Sequence, residues 1–115
     1  MYQVTDDNAL IVTYEATSDR VTPVNLTQHS YFNLRGEGRG DVLDHELWID
    51  ADRFTPVDRA LIPTGEVAPV SGTPLDFRVP ARIGDRVKGD HPQIALVGGF
   101  DHNFVLNGEA GRLRR

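Results

Sequence analysis

The sequence contains no cysteine, which excludes disulfide bonds, thiolate catalysis and metal centres with cysteine ligands. A chain without disulfides is compatible with the cytoplasm, where we expect this protein to act. Basic residues are also few, since 12 lysines and arginines stand against 17 aspartates and glutamates, for a net charge of −5. Because a nucleic-acid partner calls for a basic stripe, none is expected.

Long apolar runs are absent as well. The longest, such as residues 94–97, extend over about four residues, whereas a membrane-spanning helix needs roughly 20. Residues 1–7 have neither a basic nor an apolar region of the kind found in signal peptides. We therefore expect no membrane partner and no signal peptide. The C-terminal arginines Arg112, Arg114 and Arg115 are most simply a solvated tail or the start of a further strand.

Glycines and prolines are spread throughout the chain, and they interrupt every helical pattern before it becomes long. Apolar residues recur with a period of two, most clearly at Leu10, Val12, Tyr14 and Ala16, which is typical of a half-buried strand. The only helical turn expected lies near residues 58–61. Short strands separated by turns predict an all-β sandwich or barrel. The predicted strands are residues 1–5, 10–16, 24–34, 46–50, 53–57, 66–70, 94–97 and 100–106.

The most informative segment is Asn25-Leu26-Thr27-Gln28-His29-Ser30-Tyr31-Phe32-Asn33-Leu34. If it is extended, His29, Tyr31 and Asn33 share one face. An imidazole, a phenol and an amide are groups that a sugar-binding cleft uses. The alternative is a histidine held by hydrogen bonds in or beside a core, and the spacing alone leaves both interpretations open.

A second segment is Gly98-Gly99-Phe100-Asp101-His102-Asn103-Phe104-Val105-Leu106. We expect Asp101 and Asn103 to point away from the face that carries the aromatic residues and His102. A carboxylate at the start of a strand can accept hydrogen bonds from two sugar hydroxyls. It can equally cap a turn by bonding nearby backbone amides.

Metal binding is disfavoured. Asp44-His45-Glu46 and Asp101-His102 contain residue types that ligate metals, but no spacing such as His-x-x-x-His supports a site. The glycine-rich run at residues 36–40 lacks the strand and helix that surround a phosphate-binding loop, so we expect a hairpin loop there.

Taken in order, these segments closely resemble the aldose 1-epimerase family, and the resemblance covers nearly the whole chain. The Gln-His-Ser-Tyr-Phe-Asn-Leu block is the most specific part of it. The other blocks that carry it are Thr5-Asp6-Asp7-Asn8-Ala9-Leu10, Leu43-Asp44-His45-Glu46-Leu47, Ala51-Asp52-Arg53-Phe54-Thr55-Pro56-Val57-Asp58, Ile62-Pro63-Thr64-Gly65-Glu66, Gly72-Thr73-Pro74-Leu75-Asp76-Phe77-Arg78 and Gly99-Phe100-Asp101-His102-Asn103-Phe104-Val105-Leu106.

The resemblance implies an antiparallel supersandwich, of which residues 1–115 would be a single partial domain from its centre. It implies an isomerase that interconverts the α and β anomers of free hexoses such as galactose or glucose, without a cofactor. By match to the family's motifs, His29 looks like the general acid. Asp101 looks like the aspartate that holds sugar hydroxyls, and Ser30 and Tyr31 would line the same pocket.

One departure from the family matters. Family members are considerably longer, and the resemblance places a second histidine, an arginine and the catalytic glutamate outside this chain. We therefore expect these 115 residues to be inactive alone. The alternatives are a non-catalytic carbohydrate-binding relative and a hexose-6-phosphate epimerase, whose basic phosphate pocket is not recognisable in the sequence. A remnant unable to fold alone is a further alternative, because half a sandwich has unpaired edges.

Overall fold

The structure is a computed structural model that describes residues 1–109 and residue 112. Arg114 and Arg115, part of the expected C-terminal tail, lie outside the described residues. The described chain divides into two compact units, Met1–Phe32 and the residues from Asn33 onward. Among the described residues, no helix has the length and hydropathy needed to cross a membrane.

The first unit is built on a β-hairpin. Strand β1 (Tyr2–Val4) pairs antiparallel with β2 (Leu10–Val12), with Gln3 opposite Ile11. Thr5 closes the turn, since its N–H donates to the Ala9 carbonyl at 2.9 Å and its Oγ1 accepts from Ala9 N–H at 3.0 Å. Asn8 takes the left-handed conformation, with φ of 63°. The strand predicted at residues 1–5 is confirmed, with bounds one residue shorter at each end.

No residue of this first unit is buried, and its predicted strands are shorter than expected or missing. Strand β2 ends at Val12, not at residue 16. The prediction of a strand over residues 24–34 is wrong, because this stretch forms no regular element. A strand needs backbone partners on a neighbouring strand, and among the described residues the stretch from 24 to 32 has no backbone ladder.

The second unit contains two small antiparallel sheets. Strand β3 (Glu46–Leu47) pairs with β6 (Ala81–Arg82). Strand β4 (Ala51–Thr55) lies between β5 (Ala68–Pro69) and β7 (Asn103–Leu106), and a register irregularity between Ala51 and Arg53 marks its pairing with β7. The predicted strands at 46–50, 53–57, 66–70 and 100–106 are therefore present, each with shifted or shorter bounds. Every strand pairing among the described residues is antiparallel, as predicted.

The core of the second unit lies against the three-stranded sheet. Its buried cluster is formed by Phe54, Val70, Leu75 and Ile94, each no more than 4% exposed. The Phe100 ring packs edge-on against Phe77, with ring centroids 5.0 Å apart. Phe100 and Phe104 also pack on the cluster from the segment that precedes and enters β7. This packing holds the Asp101 segment on the core.

Two short helices were not predicted. Helix α1 (Ile83–Val87) follows β6 directly, and helix α2 (Pro92–Val97) occupies the place of the strand predicted at residues 94–97. That strand prediction is wrong because both ends of α2 carry helix signals. His91 accepts from Gln93 N–H at the N-cap, Pro92 stands at the first turn, and Gly98 ends the helix in the left-handed conformation.

The helical turn expected near residues 58–61 is instead a tight loop. The Asp58 carboxylate accepts from Ala60 N–H at 2.8 Å and from Ile62 N–H at 3.1 Å, while Leu61 has φ of 63°. The loop closes with an isolated antiparallel bridge between Val57 and Pro63. An aspartate that bonds the backbone in this way favours a turn over a helix.

Candidate functional site

The segment around His29 is organised by contacts between near neighbours. The Gln28 side chain holds Ser30 at two points, because its Oε1 accepts from Ser30 N–H at 3.0 Å and its Nε2 donates to Ser30 Oγ at 2.5 Å. The His29 and Tyr31 rings lie side by side, with centroids 5.1 Å apart and planes tilted by 54°. His29, Ser30 and Tyr31 are all exposed, Tyr31 to 90%. The imidazole and the phenol are thus both accessible to a ligand.

Asn33 and Leu34 have different surroundings. The Asn33 amide donates to the Arg39 carbonyl at 3.1 Å and accepts from Arg35 N–H at 3.0 Å. Leu34 N–H donates to Nε2 of His45 at 2.9 Å. Asn33 was expected on one face with His29 and Tyr31 if the segment were extended. No strand forms there, so strand geometry does not place Asn33 on one face with His29 and Tyr31. The Asn33 amide instead bonds two residues of its own loop.

Asp101 is exposed in the second unit, at the entrance to strand β7. Gly98 and Gly99 connect the end of helix α2 to the segment that contains Asp101. Gly98 has φ of 72°, and Gly99 N–H donates to the Ile94 carbonyl at 3.1 Å. Phe100 and His102, on either side of Asp101, are partly buried, so the predicted alternation of the segment is confirmed. The carboxylate is therefore held at the surface by neighbours anchored in the core.

His102 was not among the residues predicted to bind substrate, yet its environment is unusual. Both ring nitrogens are shielded from solvent and have no hydrogen-bond partner among the described residues. The imidazole meets the Phe54 ring edge-on, with centroids 5.6 Å apart. Burial lowers the pKa of His102, Asp101 opposes that effect by attraction, and His91 adds to it by repulsion. The net shift favours the neutral imidazole over the charged one.

A separate polar depression of about 580 Å³ lies in the second unit and contains none of the predicted site residues. It is lined by Gly72, Thr73, Pro74, Asp76, Asp85, Arg86, Gly89 and Asp90. Hydrogen bonding from Arg78 lowers the pKa of Asp76, and Arg78 also bridges to Asp52 at 3.1 Å. Within the described ranges, no three histidine or acidic side chains are grouped as metal ligands would be.

The structure thus brings three of the four predicted site residues together in one stretch of the first unit, and places Asp101 in the second. Sequence reasoning missed the two hydrogen bonds between the Gln28 side chain and Ser30. It also missed the shielding of the two ring nitrogens of His102 from solvent. The alternation of aromatic and polar residues in the second segment could have indicated this, since His102 falls on the same side as Phe100 and Phe104.

Comparison with known proteins agrees with the resemblance seen in the motifs. The aldose 1-epimerase family model matches residues 1–114. The chain is 52% identical over 103 residues to the galactose mutarotase of Homo sapiens, covering 90% of this chain and 29% of that protein. It is 46% identical over 105 residues to the aldose 1-epimerase of Escherichia coli strain K12, covering 91% of this chain and 30% of the relative. The chain thus spans less than a third of the length of these relatives.

A solved structure is similar as well. The galactose 1-epimerase from Lactobacillus acidophilus NCFM superposes with a TM-score of 0.56 and 45% sequence identity. The match covers 60% of this chain and 21% of that one. A family model that matches nearly every residue, with relatives near 50% identity, leaves one assignment: the chain belongs to the aldose 1-epimerase family.

Proposed function

We propose that this chain is the part of an aldose 1-epimerase that carries its general acid and one of its sugar-binding carboxylates. The observation that supports this most is family membership combined with the exposure of the residues concerned. His29, Ser30, Tyr31 and Asp101 fall in the blocks that carry the family resemblance, and all four side chains are exposed. A buried histidine held by core hydrogen bonds, the competing interpretation, would lack that exposure.

In the proposed reaction, His29 donates a proton to the ring oxygen of the sugar while a base removes the proton of the C1 hydroxyl. The bond between C1 and the ring oxygen breaks, which leaves an open-chain aldehyde. Rotation about C1–C2 turns the other face of the carbonyl toward the new hydroxyl. Closure reverses both proton transfers and gives the other anomer. Histidine suits this exchange because its side chain gains and loses protons near neutral pH.

The remaining site residues bind the sugar. Asp101 accepts hydrogen bonds from sugar hydroxyls, which are strengthened by its charge. Ser30 also bonds the sugar, and its two hydrogen bonds with Gln28 hold its side chain in one orientation. Tyr31, beside His29, offers an aromatic face and a hydroxyl. The base is a glutamate outside this chain, so the 115 residues alone are expected to be inactive.

The substrate we propose is a free hexose such as galactose or glucose, and the reaction needs no cofactor since no electron or group is transferred. The fold of the complete domain would be an antiparallel β-supersandwich. We place the protein in the cytoplasm. The relatives named as galactose mutarotases support the choice of a free sugar over a sugar phosphate.

The test is polarimetry of freshly dissolved α-D-galactose and α-D-glucose with the protein encoded by the complete gene. The wild type should accelerate the approach to anomeric equilibrium. His29→Ala should lower kcat by about 10²-fold or more, the range expected for loss of a general acid. Added imidazole should restore part of the activity of His29→Ala, which separates loss of the proton donor from loss of the fold. Mutant rates equal to those of the wild type would reject the assignment of His29.

The same protein preparation also distinguishes an epimerase from a non-catalytic carbohydrate-binding relative. A wild-type protein that binds galactose in calorimetry but leaves mutarotation at the buffer rate would identify a carbohydrate-binding protein. A 115-residue chain that turned over at the rate of the complete protein would contradict the view that the base lies outside it.

A further inference from the structure

Residues 33–45 form a loop whose two ends are joined by side chains and not by a β-ladder. At one end, Leu34 N–H donates to Nε2 of His45 at 2.9 Å. One residue further along, Arg35 forms an ion pair with Asp44 at 2.5 Å. The Arg35 and Asp44 side chains are about half exposed or more, so this pair contributes little. The bond to the His45 ring is therefore the main link at the base of the loop.

The backbone of His45 is itself fixed. Its carbonyl accepts from Ile83 N–H at 3.0 Å, and its N–H donates to the Val42 carbonyl at 3.0 Å. Strand β3 begins at the next residue and pairs with β6. The half-buried imidazole is thus presented from the end of a paired strand. Because Nε2 accepts a hydrogen bond, the neutral ring carries its proton on Nδ1.

Leu34 is anchored through its backbone and not through its side chain. Its side chain is 85% exposed, so apolar packing does not anchor it. Leu34 lies inside the turn that Gly36 N–H closes on the Asn33 carbonyl at 3.0 Å, and its own N–H ties that turn to His45. Leu34 is also the last residue of the segment that contains His29, five residues before it, and it follows the first unit by two residues. The segment that carries the proposed general acid therefore ends at a residue held by His45.

We infer that His45 is a positioning residue for the epimerase reaction, which holds the C-terminal end of the His29 segment through Leu34 N–H. The inference rests on the proposed function, which assigns the general acid to this segment. His45 touches neither sugar nor reacting atoms in this role. It acts through the backbone, where displacements of about 1 Å can lower a rate by as much as 10²-fold.

The test compares two amide variants in the protein encoded by the complete gene. In His45→Gln the side-chain oxygen can reach the position of Nε2, whereas in His45→Asn it is one methylene short. We expect His45→Asn to lower kcat about tenfold or more with a smaller change in KM, and His45→Gln to stay within about threefold of the wild type. The Leu34 amide resonance should move in the Asn variant and stay near its wild-type position in the Gln variant.

A folded Asn variant with wild-type kcat, or a Gln variant no better than the Asn variant, would overturn the inference. If both variants misfold, ¹⁵N spectra of the wild-type imidazole decide it. A proton on Nδ1 supports the bond to Leu34, and a proton on Nε2 overturns it. A wild-type protein without mutarotase activity would instead reject the proposed function, which keeps the two failures apart.

Discussion

The side-chain amide of Gln93 makes two hydrogen bonds to the backbone of Val57. Its Oε1 accepts from Val57 N–H at 2.8 Å, and its Nε2 donates to the Val57 carbonyl at 3.0 Å. Val57 is 7% exposed and lies just past strand β4, whereas Gln93 belongs to helix α2. One side chain therefore satisfies both backbone groups of a buried residue and ties the helix to the end of the sheet.

Removing this amide should destabilise the protein. Gln93→Leu leaves a buried N–H and a buried carbonyl without partners, at a cost of about 2–3 kcal/mol in the free energy of unfolding. Urea denaturation followed by circular dichroism measures the loss. Gln3→Leu is the matched control, because Gln3 is exposed on β1 and its replacement should change stability by about 0.5 kcal/mol or less. Equal losses in the two variants would contradict the role of Gln93.

Gly98 should be difficult to replace for reasons of backbone conformation alone. It ends helix α2 with φ of 72°, and a β-carbon built there would meet no atom within 4 Å. Gly98→Ala should therefore cost about 1–2 kcal/mol through the left-handed backbone. Gly98→Asn should cost less, because asparagine tolerates this conformation better. Thermal unfolding of both variants tests the order, and a larger loss for Asn would point to a steric cause.

His102 should make stability depend on pH. Burial lowers its pKa in the folded protein, so the unfolded chain binds a proton more readily than the folded one. Stability is therefore greatest above the unfolded pKa of about 6.5 and falls as the pH drops below it. Asp101 and His91 are the charged groups that act on this ring.

His102→Phe tests this directly. A phenyl ring can keep the edge-on contact with Phe54 and removes two ring nitrogens that have no partner among the described residues. We expect the variant to be about 1 kcal/mol more stable than the wild type near pH 7. Its advantage in urea denaturation should widen between pH 6.5 and 5. An advantage that stays constant over this range would show that His102 does not titrate as described.

Asp101→Asn should weaken catalysis in the protein encoded by the complete gene. The change removes the charge that strengthens hydrogen bonds to sugar hydroxyls, so kcat/KM in mutarotation should fall about 10- to 100-fold. Asp90→Asn is the matched control, since Asp90 is an exposed aspartate outside the proposed site. Comparable losses in the two variants would remove Asp101 from the list of sugar-binding residues.

Local signals predicted much of this structure. The alternation from Leu10 and the strand predicted at residues 1–5 located both strands of the β1–β2 hairpin, since the whole hairpin lies within a dozen residues. Strands β4 and β7 were located within a few residues because each carries a phenylalanine of the core, Phe54 in β4 and Phe104 in β7. Helix α2 was missed although His91, Pro92 and Gly98 mark its ends. A run of four apolar residues is compatible with a buried strand or a short helix, and the pattern alone does not separate them.

The sequence by itself determined the family and the identity of the candidate site residues, because these depend on residue types in a fixed order. The tertiary structure decided which of the predicted strands form and how deeply each candidate side chain is buried. Residues 24–34 have the composition of a strand, but a strand exists only where another strand accepts its backbone hydrogen bonds. Burial lowers the pKa of His102, and Phe54, 48 residues earlier in the chain, lies edge-on against its ring. Such contacts between distant residues set the solvation of a group, and no local pattern of residues encodes them.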